Sequence, residues 1–339
     1  MHSRSSKKWR CTEPFTIELQ LLRGRGQGDF VPKAALTRAE AVQALVNLLD
    51  KQYFKERRIC IRKELIYLTD DHRVSLTAYL YESFSGNTEA RAAVVVLPGG
   101  GYRSISESEA DPIALSYLSR GYHAFVLRYS IGEFAAFPAP LIEVSRALST
   151  IRRNGASWGV DVNRIAVCGL SAGGHLAASL GTMWQDKEIA AAAGIDSGEN
   201  RPNALILGYP VITCSLGQHS PLNKMWTQAA GKPPLPDMQS RLSCELLVDG
   251  HTPPCFIFHT FADQVVPVQH ALLFSTALAD HQVPFELHVY PDGPHGLSLA
   301  NAVTAGGKVQ YMNETVAQWM EQSCRWLQSV FKDNDQVND

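Results

Sequence analysis

A serine, an aspartate and a histidine stand far apart in this chain, each in the stretch that follows a predicted strand. Together they are the residue types that nucleophilic catalysis requires. The serine is Ser171, within Arg164–His175, RIAVCGLSAGGH. The apolar run Ile165–Cys168 leads into Gly169-Leu170-Ser171-Ala172-Gly173, and small residues then open a helix. This is G-x-S-x-G between a buried strand and a helix N-terminus. Turning from strand to helix in one residue forces Ser171 into a strained conformation, with its hydroxyl projecting from the sheet. Side chains two residues to either side would collide there, so positions 169 and 173 call for glycine. The helix that follows aims the positive end of its dipole at the same point, which favours a developing oxyanion. The plainer alternative is a serine that merely caps the helix.

An activated serine needs a base, a group that orients the base, and an oxyanion hole. Asp263 follows the apolar strand Pro254–Phe261, and His295 stands in the Gly/Pro loop Pro291-Asp292-Gly293-Pro294-His295-Gly296 after the strand Pro284–Tyr290. In a parallel sheet such loops converge on one edge, so residues distant in sequence can meet. His295 Nε2 would take the Ser171 proton while Asp263 holds Nδ1–H. Asp263 could also cap a helix starting near Val266, a role compatible with catalysis. Asp292 is the competing acid, but its Asp-Gly context reads as a turn. His259, inside a strand and four residues before Asp263, reads as a core histidine able to support the site. The oxyanion hole falls to Pro98-Gly99-Gly100-Gly101-Tyr102, after the strand Ala92–Leu97: the N–H groups of Gly100 and Gly101, completed by that of Ala172. This glycine run lacks the lysine and spacing of a phosphate-binding loop. Tyr102 and Tyr129 are candidate substrate-binding residues by position alone.

The elements that must hold these residues follow from the hydrophobic pattern. Cys60–Leu68 and Val74–Tyr81 alternate as two strands around a turn at Asp70–His72. From Ala92 onward the pattern changes: the continuous apolar strand Ala92–Leu97 and further strands at Tyr122–Tyr129, the Ile165 run, Ala204–Val211, Pro254–Phe261 and Pro284–Tyr290 are interspersed with helices at Pro112–Leu118, Leu141–Asn154, Pro267–Asp280 and Thr315–Phe331. This predicts an α/β protein with a mainly parallel central sheet and helices on both faces. Residues 213–252 read as a lid or substrate-pocket insertion, with a surface decoration as the alternative. The first 56 residues form an N-terminal extension with one helix, Thr37–Tyr53, that could join a cap or a dimer contact. Residues 57–332 make the catalytic domain, and 333–339 a solvated, disordered tail.

The 339 residues suffice for a large core, and a formal net charge of −2 gives no reason to expect nucleic acid or an anionic membrane as partner. No run approaches a membrane span. Seven scattered cysteines without C-x-x-C spacing suit free, mostly buried thiols in a reducing compartment, so the expected location is cytoplasmic. No H-E-x-x-H motif or carboxylate cluster suggests a metal.

Taken together, Gly99-Gly100-Gly101, Gly169-Leu170-Ser171-Ala172-Gly173-Gly174-His175, Asp263 and His295 resemble the α/β-hydrolase esterases of the hormone-sensitive-lipase and acetyl-esterase kind. LPGGGY at 97–102, VLRYS at 126–130 and WGVDVNRIAVCGLSAGGHLA at 158–177 are similar to a bacterial acetylxylan-esterase-like branch. The likeness spans about residues 60–332 and departs at Pro98, where many members carry a loop-shaping histidine. It implies an α/β-hydrolase fold and a cofactor-free serine esterase of short acyl groups, with a small-molecule ester, an acetylated sugar among the candidates, as substrate. A homo-oligomer is allowed. An amidase or peptidase on the same fold, including an arylformamidase, is the nearest rival. A catalytically dead binding protein is a further one, although such proteins tend to lose a triad member.

Overall fold

The computed structural model describes residues 59–83, 90–216 and 222–337. The helix expected over Thr37–Tyr53, with the rest of the N-terminal extension, lies outside them. Eight strands form one sheet: β1 (Ile59–Tyr67), β2 (Ser75–Ser83), β3 (Arg91–Leu97), β4 (His123–Arg128), β5 (Val160–Leu170), β6 (Ala204–Gly208), β7 (Cys255–Thr260) and β8 (Phe285–Tyr290). Their order in space is β1-β2-β4-β3-β5-β6-β7-β8. The first two make the expected antiparallel hairpin, and β2 also runs antiparallel to β4. Every later neighbouring pair is parallel.

The continuous apolar runs follow from burial on both faces. In β3, Ala93, Val95 and Leu97 enter one core cluster while Val94 and Val96 enter another across the sheet. The helices of seven or more residues among the described residues are α1 (Asp111–Leu118), α2 (Ala139–Arg153), α3 (Ala172–Met183), α4 (Lys187–Ala193), α5 (Leu222–Ala230), α6 (Pro236–Leu242), α7 (Gln269–Asp280) and α8 (Trp319–Val337). Leu148 of α2, Leu180 of α3 and Phe274 of α7 fill the first cluster; Tyr117 of α1 and Trp319 of α8 fill the second. The result is the three-layer architecture of an α/β hydrolase.

Three expectations change. Strand β6 stops at Gly208 instead of Val211, because Tyr209 turns to a φ of 35° and the chain leaves the sheet. The C-terminal helix is broken after Ala317 and then continues to Val337, so residues 333–337 are helical where a solvated tail was expected. No glycine or proline lies between 319 and 337 to stop it. The stretch expected to be a lid or pocket insertion contributes α5 and α6. Among the described residues no helix is long and apolar enough to cross a membrane. Cys168, Cys214, Cys244, Cys255 and Cys324 are buried and free.

Candidate active site

Strand β5 ends at Leu170 and α3 starts at Ala172, so the reversal falls on Ser171 alone, at φ 54° and ψ −117°. That conformation is costly for a residue with a Cβ and persists only where its surroundings impose it. Here they do. Ser171 N–H donates to Gly208 O (3.0 Å), and Val211 N–H donates to Ser171 O (3.2 Å), fastening the turn to the end of β6. A Cβ at Gly169 would stand 2.1 Å from Gly173 O, and one at Gly173 2.0 Å from Leu97 O. Both glycines are therefore steric requirements.

The loops after β7 and β8 bring Asp263 and His295 to this turn. His295 Nε2 lies 2.8 Å from Ser171 Oγ, and Nδ1 2.6 Å from Asp263 Oδ2. The other carboxylate oxygen accepts Val265 N–H (2.8 Å) and Val266 N–H (2.9 Å), which holds the loop. Asp263 is 5% exposed. Burial pushes its carboxyl up, but hydrogen bonds from His259 and His295 outweigh that and hold it well below the usual carboxylate range. An ionised Asp263 can only accept, so His295 turns Nδ1–H toward it and leaves Nε2 free to accept the Ser171 proton. His259 is fully buried, with Nε2 2.9 Å from Val266 O and 3.5 Å from Asp263 Oδ2. It braces the Asp263 turn. Asp292 is exposed, and among the described residues its one hydrogen bond is at its carbonyl, from Asn313 Nδ2.

The glycine loop lies beside the nucleophile. Gly100 and Gly101 have φ of 124° and 64°, and a Cβ on Gly100 would fall 2.0 Å from Ser104 O. Arg103 and Ser104 N–H both donate to Gly100 O, closing a tight turn. Among the described residues no acceptor takes the amide N–H of Gly100, Gly101 or Ala172. Gly100 and Gly101 line a cleft of about 330 Å³ together with Ser171 and His295. Val211, with Leu222 and Met225 from the insertion, supplies an apolar wall; Arg103, Ser104, Ser106 and Glu109 supply a polar one. A second lobe, also about 330 Å³, opens on the His295 side between Gln264, Pro294 and Tyr311. Among the described residues no group of three or more His, Cys, Asp or Glu side chains could hold a metal ion.

The sequence profile of the BD-FAE family matches residues 80–278, more than half of the chain. The chain belongs to the BD-FAE family. It is 35% identical over 235 residues to endo-1,4-β-xylanase B of Butyrivibrio fibrisolvens, a match covering 67% of this chain and 35% of the relative. It is 28% identical over 245 residues to an acetylxylan esterase of Xylanibacter ruminicola, covering 70% and 46%. The chain thus spans half or less of the length of these curated relatives. Among solved structures, an acetyl ester-xyloside bifunctional hydrolase from Caldicellulosiruptor lactoaceticus superposes with a TM-score of 0.67 at 33% identity, covering 80% of this chain and 97% of that one.

Two expected positions of this BD-FAE chain do not line the cleft. Tyr102 and Tyr129 are both buried, with their rings edge to face at 5.8 Å. Tyr129 donates to Pro98 O (2.5 Å) and Tyr102 to His175 Nδ1 (2.8 Å), so both brace the glycine loop from behind. Position after a strand put them near the site; the φ of 58° at Tyr102 turns that ring into the core. His175 completes this brace. Burial pushes its imidazole down to about 4, and Nε2–H donates to Leu242 O (2.8 Å) of the insertion. Glu109 and Tyr209 also adjoin the site, joined by a 2.7 Å hydrogen bond. No motif marks either one, because each acts through contacts formed only in the fold.

Proposed function

We propose that this protein is a serine carboxylic-ester hydrolase that removes short acyl groups, acetyl foremost, from a small or carbohydrate alcohol. The observation carrying this reading is the continuous hydrogen-bonded line from Ser171 through His295 to Asp263, opening onto a cleft beside the unpartnered Gly100 and Gly101 amides.

In this mechanism Ser171 Oγ attacks the acyl carbonyl carbon as its proton passes to His295 Nε2, and Asp263 stabilises the imidazolium. The carbonyl oxygen becomes an oxyanion that accepts from the N–H groups of Gly100, Gly101 and Ala172. Collapse breaks the bond to the alcohol oxygen, which leaves with the proton from His295. A water then gives a proton to the same nitrogen as it attacks the acyl-enzyme, and release of the acid restores Ser171. The acyl group would lie against Val211, Leu222 and Met225. The alcohol, which must meet His295 Nε2, would depart on that side. The acetyl and sugar preference rests on the names of relatives: an acetylxylan esterase and an acetyl ester-xyloside hydrolase.

The test is a rate series on p-nitrophenyl acetate, butyrate and octanoate, with Ser171→Ala alongside, followed by acetylated xylo-oligosaccharides and a matched anilide. The expected result is highest activity on acetate, decline with chain length, loss in Ser171→Ala, and a slower anilide. Activity persisting in Ser171→Ala would remove the nucleophile assignment. Preference for the anilide would move the reading to an amidase.

A further inference from the structure

Glu109 is a carboxylate on the cleft wall, only 3% exposed. Such a group is costly to bury without strong partners. Among the described residues no cation pairs with it; Arg128 pairs with Glu107 and Asp111, on either side of Glu109 in sequence. Glu109 instead accepts two hydrogen bonds from the catalytic scaffold. Oε2 takes Gly99 N–H at 2.8 Å, and Oε1 takes the Tyr209 hydroxyl at 2.7 Å.

Both donors lead to the reacting groups. Gly99 directly precedes Gly100 and Gly101, and a Cβ built on it would stand 2.6 Å from Glu109 Oε2 and 2.9 Å from Ser171 Cβ. The carboxylate, the glycine loop and the nucleophile are thus packed together with no room for a side chain between them. Tyr209 sits at the end of β6 with its ring edge-on to that of His295, centroids 5.1 Å apart. Its oxygen accepts Ser298 N–H at 3.0 Å, just beyond His295. Ser298 is fixed in turn by donating to Ser108 O (2.6 Å) and accepting from Trp319 Nε1 (2.9 Å). Tyr209 and Ser298 hold φ of 35° and 52°, a region side-chain-bearing residues keep only where surroundings over-determine it.

We infer that Glu109 is a positioning residue that fixes the oxyanion loop relative to the catalytic histidine. This rests on the hydrolase reading above. The chemistry selects a carboxylate. Gly99 N–H can only donate. The Tyr209 oxygen already accepts from Ser298, so its own proton turns to Glu109. Two facing donors require two acceptors, and charge-assisted bonds to both offset the cost of burial. A glutamine offers one acceptor and would set its NH₂ against the other donor. At 3% exposure, with each oxygen held by a scaffold donor, Glu109 acts through Gly99 and Tyr209.

The experiment compares wild type with Glu109→Ala, Glu109→Gln, Tyr209→Phe and the Glu109→Gln/Tyr209→Phe pair. It measures kcat and KM on p-nitrophenyl acetate, affinity for a trifluoromethyl ketone that forms a tetrahedral adduct, and Tm. Glu109→Ala is expected to lose roughly 10- to 100-fold in kcat with KM little changed, since small misplacements of such groups cost rates of this size. Affinity for the ketone should fall in parallel. Glu109→Gln should lose less, and the pair should recover part of that loss, because the amide oxygen can then serve Gly99 alone. Wild-type kcat and ketone affinity in both Glu109→Gln and Tyr209→Phe would overturn the inference, as would losses confined to KM or Tm. If Glu109→Ala does not fold, the two near-isosteric variants decide. An inactive wild type, or an active Ser171→Ala, would overturn the hydrolase reading itself and is a distinct result.

Discussion

Asp263 divides its two oxygens between two tasks, one holding its own loop through Val265 and Val266 and the other facing His295. That division allows a clean substitution. In Asp263→Asn, the amide oxygen can keep the loop bonds while the NH₂ faces His295 Nδ1. The imidazole would then carry its proton on Nε2, pointing at Ser171, and could no longer accept from it. The expected outcome is a fall in kcat of about 10³- to 10⁴-fold with nearly unchanged folding. Steady-state kinetics beside a thermal melt would check this. A large loss of Tm with modest loss of kcat would mean that Asp263 serves the loop more than the base.

At the scale of elements, the junction of β5 and α3 depends on backbone clearance more than on the propensity of either element. Gly173→Ala would drive a methyl group to 2.0 Å from Leu97 O, on the strand that leads into the oxyanion loop. Neither backbone can give way alone. The cost is expected at or above the upper end of the ~1–3 kcal/mol of an overpacked core, with loss of esterase activity. Gly250→Ala is the control, since nothing lies within 4 Å of its added Cβ. Urea unfolding of the two variants should separate them clearly. Equal stability would mean that the junction relaxes, and the steric account of G-x-S-x-G here would fail. The insertion works on the same scale. Helix α5 sends Leu222 and Met225 to the cleft, while Trp226 packs edge-on against His175 beneath it.

Across the whole molecule, the strands and the mainly parallel character of the sheet were legible, most plainly in β3, where burial on both faces leaves a continuous apolar run; the order of the strands was not. The positions of Ser171, Asp263 and His295, which the fold brings within hydrogen-bond distance of one another, were legible because each stands in a loop after a strand the pattern marked. What escaped was set by tertiary contact. Helix α4 is an alanine run without apolar periodicity, started by Asp186 capping Glu188 and Ile189 N–H. The inward turn of Tyr102 and the Glu109–Tyr209 bond depend on left-handed backbone at residues with side chains, which composition does not announce. Another whole-chain property concerns acid. His123, His175 and His270 are buried, and desolvation pushes their imidazoles down to about 4, 4 and 3. Each also uses Nδ1 as an acceptor, from Tyr81 N–H, Tyr102 O–H, and the Ile212 and Thr213 N–H groups respectively. An unfolded histidine titrates near 6.5, so between there and about 4 the unfolded chain binds more protons than the folded one. Stability contributed by the neutral rings is therefore complete above 6.5 and is lost as pH falls toward 4. The slope approaches ~1.4 kcal/mol per pH unit for each such group. Glu143 and Glu245, whose carboxyls burial pushes up, act in the opposite sense and offset part of the loss at the low end. Urea midpoints at pH 7, 6, 5 and 4.5 should fall steadily, and the fall should be shallower in His123→Asn, whose side chain no longer titrates. A flat profile across that range would mean that the three imidazoles take up protons within the fold, and that the acceptor roles assigned to them are wrong.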